Sequence, residues 1–290
     1  MIDSDSATQR FPLISVGMPI HNEERFLAES LESLLSQSYP NLEILISDNA
    51  STDGSARICG DFADRNDNIL VHRFDTNQGA VANFRNVLDR AQGDYFMWAS
   101  GHDLWSPDYI QRCFEAIRDR PDSVLAFGST SWVDDQGRPH RKESGWTDTR
   151  GMHAIARYML VYWGNMNPVL GLIRTSALRD CKFRETAGAD LVILTQLALA
   201  GDFVHADKTS WSRREFREET DYSDKLKRYK SQHYGLDRSR LGRLFPLARL
   251  PLELLRVVFA CRLPVVQKFL LSTLLIVNLP VKYVTDKWFR

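Results

Sequence analysis

The chain has 290 residues, 43% of them hydrophobic and 26% charged, and its formal net charge is zero. That is globular composition with room for one large core or two modest ones, and it carries no overall positive field of the kind that binds nucleic acid. Its four cysteines, Cys59, Cys113, Cys181 and Cys261, stand far apart without C-x-x-C spacing, which argues against a disulfide framework or a zinc knuckle and for a reducing compartment.

The first ten residues are polar and include two aspartates. They lack the basic head and apolar run of a secretory signal, so the expected location is the cytoplasm. Apolar runs then recur at 13–20, 42–47, 69–74 and 95–99, at roughly the spacing of βα units. Each reads as a buried strand. Between them, Phe26, Leu27, Leu31, Leu34 and Leu35 form one helical stripe, and Val81, Phe84, Val87, Leu88 and Ala91 another. Ser106 fits an N-cap and Pro107 a first helical position, opening a helix that turns Tyr109, Ile110, Cys113, Phe114 and Ile117 inward. This alternation predicts an α/β fold, a mostly parallel sheet flanked by helices on both faces. Ligands collect on such a sheet where the strands end and the loops begin.

The second half is less regular. It predicts strands at 124–127, 169–173 and 203–206 and a helix over 190–200, with a polar stretch at 134–150 and a charged one at 213–230. Residues 11–235 read as one domain. From 241 to 290, eight basic residues face only Glu253 and Asp286, in a segment dense in Leu, Val and Phe. The tail therefore carries +6 and the body −6, a split that suggests a catalytic body with a basic, apolar, helical tail.

Four polar loops fall on the C-terminal rim of the expected sheet. They are Pro19-Ile20-His21-Asn22-Glu23-Glu24, Asp48 through Ser55, Asp75-Thr76-Asn77-Gln78-Gly79, and Ala99-Ser100-Gly101-His102-Asp103. Taken alone, the second loop suits a turn and helix N-cap as well as a ligand site; four such loops on one rim favour a shared site.

The runs Ser15-Val16-Gly17-Met18-Pro19-Ile20-His21-Asn22-Glu23, Ser47-Asp48-Asn49-Ala50-Ser51-Thr52-Asp53-Gly54-Ser55, Asn77-Gln78-Gly79 and Ala91-Gln92-Gly93-Asp94-Tyr95 together resemble family 2 glycosyltransferases with the GT-A fold. The resemblance is strong over 11–125 and faint over 126–215. It implies a nucleotide-sugar donor whose base and ribose are held by Pro19, Asn22, Glu23 and Asp48, with Asn77 and Gly79 close by. The chemistry is compatible, since an Asp carboxylate accepts the imide N–H of uracil and Glu accepts ribose hydroxyls. Asp53 is expected to organise its own turn, and Gly79 also suits a tight turn.

The fourth loop departs from the family's Asp-x-Asp-Asp pattern: Ser100, His102 and Asp103 stand at the acidic positions. Three readings follow. His102 and Asp103 hold a divalent cation, Mn²⁺ suiting an imidazole better than Mg²⁺ does; or protonated His102 itself offsets phosphate charge; or metal binding and catalysis are lost, leaving a nucleotide-sugar or glycan-binding partner. The resemblance also implies inverting transfer with an acidic base ahead of a second-half helix. Asp190 fits, with Glu185 in reserve, although Asp190 equally suits a helix N-terminus. Trp211-Ser212-Arg213-Arg214 resembles the family's arginine-bearing closing loop, and Arg213 and Arg214 are expected to clamp phosphate or acceptor unless they belong to a solvated charge run.

The acceptor implied is lipid-linked or polysaccharide, as in cell-envelope glycan assembly. In the tail, 269–281 is uncharged but its 13 residues fall short of the roughly 20 that span a bilayer. Apolar stretches studded with Arg and Lys suit the inner face of an anionic membrane. A helical pair packed on the body, a dimer contact and a re-entrant hairpin remain open.

Overall fold

In a computed structural model of the chain, residues 11–139, 148–216 and 249–288 are described, 283–288 by backbone alone. The first ten residues, the end of the body at 235, the start of the tail at 241 and most of the charged stretch at 213–230 lie outside the described residues.

The first half follows its hydrophobic pattern: β1 (Ile14–Ile20), α1 (Leu27–Leu35), β2 (Leu42–Asp48), α2 (Ser55–Ala63), β3 (Ile69–Arg73), α3 (Ala80–Arg90) and β4 (Tyr95–Trp98) alternate. Next come β5 (Leu104–Trp105), α4 (Tyr109–Ile117), β6 (Ser123–Val133), α5 (Ala154–Trp163), β7 (Leu172–Arg174), α6 (Thr175–Asp180), α7 (Ala189–Ala200) and β8 (Asp202–Arg214). The tail supplies α8 (Arg249–Ala260) and α9 (Val265–Trp288). One eight-stranded sheet has the order β3-β2-β1-β4-β7-β6-β8-β5. β1 to β4 are mutually parallel, and β7 and β5 run against their neighbours.

Four local expectations are corrected. The strand expected at 169–173 starts late: Asn167–Leu170 is a 3-10 turn, Pro168 having no N–H for a ladder, and the strand begins at Leu172. The short strand at 203–206 continues to Arg214, so the expected closing loop at 211–214 is strand. A bulge explains the miss. Between the pairs Phe127↔His205 and Ser129↔Ser210, β6 advances two residues and β8 five, with Lys208 left-handed at φ 59. Third, α4 starts at Tyr109, because Ser106 and Pro107 form a turn closed by Tyr109 N–H donating to the Ser106 carbonyl at 2.9 Å. Fourth, the uncharged 13-residue stretch lies within a 24-residue helix, and Val265–Lys282 is long and apolar enough to cross a membrane by length and composition alone.

One buried cluster fills the side of α1, α2 and α4, and a second lies under α3, α6 and α7. A third joins Tyr158 and Tyr162 of α5, Leu191 and Val192 of α7, Leu254 and Val258 of α8, and Leu271 and Leu275 of α9. α7 is buried along both flanks, which is why its sequence is apolar all round. The tail helices thus dock on the body.

The Gln92-Gly93-Asp94 run ties the two halves together. Gly93 N–H donates to Ser15 Oγ at 2.8 Å, Thr175 Oγ1 donates to the Gly93 carbonyl at 2.7 Å, and Asp94 N–H donates to the Leu13 carbonyl at 2.9 Å. A Cβ on Gly93 would meet the Leu13 carbonyl oxygen at 2.6 Å and Ser15 N at 2.7 Å, both backbone atoms of a central strand. Gly93→Ala is expected to destabilise the protein by about 1–3 kcal/mol, read from the urea midpoint; an unchanged midpoint would contradict this packing.

Candidate active site

β2 lies between β1 and β3, and its last residue, Asp48, is in register with Ile20 and Arg73. Flanked on both sides, its carboxylate is fully buried. Oδ1 accepts from Ser51 N–H at 2.9 Å. Oδ2 has no hydrogen-bond partner; Arg73 Nε approaches it only to 3.4 Å. A buried charged oxygen left in this state is costly, and an N–H arriving with a ligand would satisfy it.

The loops after β1 and β2 are laced together. Asn22, left-handed at φ 57, donates its N–H to Ser51 Oγ and accepts Thr52 N–H at its Oδ1, both at 2.9 Å. Glu23 N–H donates to Ser55 Oγ at 2.9 Å. Glu24, which sequence reasoning passed over, accepts Gly54 N–H at 2.9 Å, while its own N–H donates to Asp53 Oδ2 at 3.1 Å. Asp53 also accepts Ser55 N–H at 3.0 Å, so it organises its own turn. Burial pushes its carboxyl up, but the Ser55 and Glu24 hydrogen bonds outweigh that and hold it below the ordinary carboxylate value. Pro19 is half-buried in β1, opposite Ser47.

The third loop hangs on another residue not foreseen. Asn49 accepts Gln78 N–H at 2.8 Å and donates Nδ2 to Asn77 Oδ1 at 2.9 Å. Asn77 Oδ1 also takes Gly79 N–H at 2.8 Å, and Gly79 turns into α3 at φ 86. Asn77 Oδ1 is therefore spent on shaping the loop, while its Nδ2 lies 3.3 Å from His21 Nε2. An amide at the end of a buried strand, followed by a Gly-containing turn, was the available signal for Asn49.

In the fourth loop, His102 Nδ1 sits 3.0 Å from Glu23 Oε2, and its Nε2 is 3.9 Å from Asp103 Oδ1. If the ring donates Nδ1–H to Glu23, the Nε2 lone pair is left free, as in carboxylate–histidine–metal arrangements. With that tautomer both atoms are acceptors, and a divalent ion bound beside them would find two of its ligands here. Among the described residues, no group of three or more His, Cys, Asp or Glu could hold a metal; further ligands would come from donor phosphate and water. Asp103, 2% exposed, also has a structural task. Its Oδ2 accepts Ser100 Oγ–H at 2.5 Å and its Oδ1 accepts Arg214 N–H at 2.9 Å.

The two arginines of β8 point to opposite faces, as alternation requires. Arg214 is buried and donates to the His102 carbonyl at 3.0 Å and to Glu29 Oε2 at 2.6 Å, with its guanidinium 4.4 Å from the Phe26 ring centre. Arg213 is exposed, donates to Asn167 Oδ1 at 3.0 Å and covers the Trp132 ring. Near it, Asp190 opens α7 behind Gly188, which is left-handed at φ 82. Asp190 is exposed to water. Desolvation raises its pKa above the ordinary carboxylate value, and the Arg213 charge opposes that rise. The expected residues thus fall into two groups joined through β8. One is the rim of Asn22, Glu23, Asp48, Asn77, Gly79, His102, Asp103 and Arg214; the other is Asp190 with Arg213. Glu185, the reserve, is exposed before α7.

A family profile described as "Glycosyl transferase family 2" matches residues 15–178. EpsE of Bacillus subtilis (strain 168) is 43% identical over 102 residues, 35% of this chain and 37% of its own length. TuaG of the same organism, whose name places it in teichuronic acid biosynthesis, is 30% identical over 128 residues, 44% of this chain and 50% of its own. The chain therefore spans half or less of the length of these relatives. Among solved structures, TarS 1-349 of S. aureus in complex with UDP-GlcNAc superposes with a TM-score of 0.68 at 17% identity, covering 91% of this chain and 71% of that one; at that identity the likeness concerns the fold. The family match ends before Asp190 and Arg213, so their roles rest on geometry.

The opposing effects at Asp190 give a signed test. Arg213→Met removes the nearby positive charge and is expected to move the Asp190 titration to higher pH, followed by the side-chain carboxyl carbon in NMR. A shift to lower pH, or none, would show that the two side chains do not communicate.

Proposed function

The chain belongs to glycosyl transferase family 2, and on that premise we propose that it moves a sugar from a nucleoside-diphosphate sugar to a hydroxyl of a lipid-linked or polysaccharide acceptor, with inversion at the anomeric carbon, in cell-envelope glycan assembly. The observation that carries this reading is Asp190: a water-reachable carboxylate with a raised pKa and no hydrogen bond among the described residues. A general base with these properties takes the acceptor hydroxyl's proton as the oxygen attacks. Arg213 holds the second phosphate or the acceptor beside it. On the donor side, Asp48 Oδ2 accepts the imide N–H of a uracil-type base, and Glu23 orients His102.

His102 Nε2 and Asp103 would hold a Mn²⁺-like divalent ion, which supplies the positive charge that offsets the departing diphosphate. The reaction belongs at the cytoplasmic face of the membrane; the free cysteines, three of them buried, support a reducing compartment. One observation favours the rival reading, a donor-binding partner without turnover: both Asp103 oxygens already accept hydrogen bonds.

Thermal melts with UDP-, dTDP- and GDP-sugars plus Mn²⁺ should show stabilisation by at least one donor; no response to any of them sinks the donor site. Asp190→Asn is expected to lower transfer by about 10²–10⁴-fold with nucleotide-induced stabilisation retained, and full turnover would remove Asp190 from its role. Metal-dependent turnover by the natural chain, weakened in His102→Ala, supports the enzyme. If instead only His102→Asp turns over donor, the rival stands.

A further inference from the structure

On the outside of α9, Val265, Val266, Phe269, Leu270, Ile276, Val277 and Val281 are all exposed, Val266 at 80%, Val277 at 65% and Phe269 at 62%. They recur at helical spacing along one stripe about 24 Å long. Thr273, on the same face, returns its hydroxyl to the Phe269 carbonyl at 3.0 Å. The polar residues lie elsewhere. Ser272 and Lys282 are buried, and Lys268 donates Nζ to the Phe259 carbonyl at 2.8 Å. An ordinary surface helix hides its apolar face and turns charges outward; α9 buries Leu271 and Leu275 and is apolar on the outward side as well. Leu252 and Phe259 of α8 are exposed as well, and exposed apolar surface gathered in this way marks an interaction site.

Two observations say what covers it. Between 249 and 288 there are six basic residues and two acidic ones; Arg256 and Arg262 are exposed, and Arg256 falls between the exposed Leu252 and Phe259 on α8 by helical spacing while also pairing with Glu253 at 2.6 Å. Basic rims around an apolar stripe complement anionic headgroups above acyl chains. The opposite side of α9 is fixed to the body by Leu271 and Leu275, and Lys282 lies over the rings of Tyr162 and Trp163 at 5.1 and 5.5 Å. A helix so held presents only one side to lipid, as an in-plane helix does; a spanning helix meets lipid or protein apolar surface all round.

The tail also touches the acceptor side of the site. Leu250 packs against Gly188, two residues before Asp190, so closely that a Cβ there would meet Leu250 Cδ2 at 3.0 Å. Arg184 pairs with Glu253 at 3.2 Å, and Arg249 donates to the Glu185 carbonyl at 3.4 Å. We propose that the outward face of α8 and α9 docks in the plane of an anionic phospholipid leaflet and that the 184–190 segment is presented beside it, so that the acceptor is carried on a lipid of that leaflet. The choice of acceptor rests on Asp190 as base; the docking does not.

Flotation of the full chain with phosphatidylglycerol-containing vesicles, against pure phosphatidylcholine ones, tests the docking. Binding should require the anionic lipid, and Phe269→Glu combined with Val277→Glu should lower the bound fraction about tenfold or more, with circular dichroism melts unchanged because both positions are exposed. Absence of binding to anionic vesicles overturns the proposal, and so does a lipid-free dimer that the double variant dissolves. Hydrogen exchange on the vesicle-bound chain should show protection at both 265–281 and 184–190; protection of the helix alone overturns the placement of the acceptor. Asp190→Asn should float like the natural chain, so a failure of the base assignment is seen separately.

Discussion

The rim is held in shape by the path of one loop. β4 and β5 are consecutive in the chain, yet they occupy the fourth and the last places in the sheet. The loop between them, which carries Ser100, His102 and Asp103, must therefore cross the sheet to reach β8. Arg214 fastens it there. Its backbone N–H holds Asp103, its side chain holds the His102 carbonyl and Glu29, and Phe26 lies under the guanidinium. A buried guanidinium is tolerable only with such a full set of partners. The position of His102 is thus set by the last strand of the body as much as by the first half of the sheet.

That dependence explains which parts of the site were legible in the sequence. In the first half, each strand–helix unit announces itself by period, and the polar loops fall where the strands end. Asp48 suits a turn and a ligand contact alike in the sequence, and its Oδ1 does accept the Ser51 N–H; what sets it apart is the buried Oδ2 without a hydrogen-bond partner. Asn49, Glu24 and Asn77 are harder, since Asn, Glu and Asp near Gly and Ser fit turn-making and ligand contact alike, and only the hydrogen bonds tell them apart. Asp53 was separable because Ser55 stands two residues on, the spacing of an Asx turn.

In the second half, the signals that failed share a cause. Pro168 hides a 3-10 turn inside an apolar run, and the bulge at Lys208 interrupts the alternation that would have marked β8 as one strand. Arg213 and Arg214 looked equivalent because they are adjacent and identical. Within a strand, adjacency means opposite faces, so one became a buried fastener and the other a neighbour of Asp190. The difference lies in the register with β6, which no local pattern encodes.

The tail carries the same lesson in reverse. Its composition suggested membrane contact, but composition cannot distinguish a helix that spans, one that packs and one that lies flat. Docking through Leu271 and Leu275 leaves one face of α9 free, and between Val265 and Val281 that face is uncharged and apolar apart from Thr273. Had the helix been selected only to stabilise the body, charges on the outward side would have cost nothing and improved solubility. Their absence from that stripe is what the proposed docking on a leaflet accounts for. α8 begins against the loop that ends in Asp190, with Leu250 on Gly188, so on the proposed assignment of Asp190 a surface that binds the stripe would also set the direction from which an acceptor hydroxyl arrives.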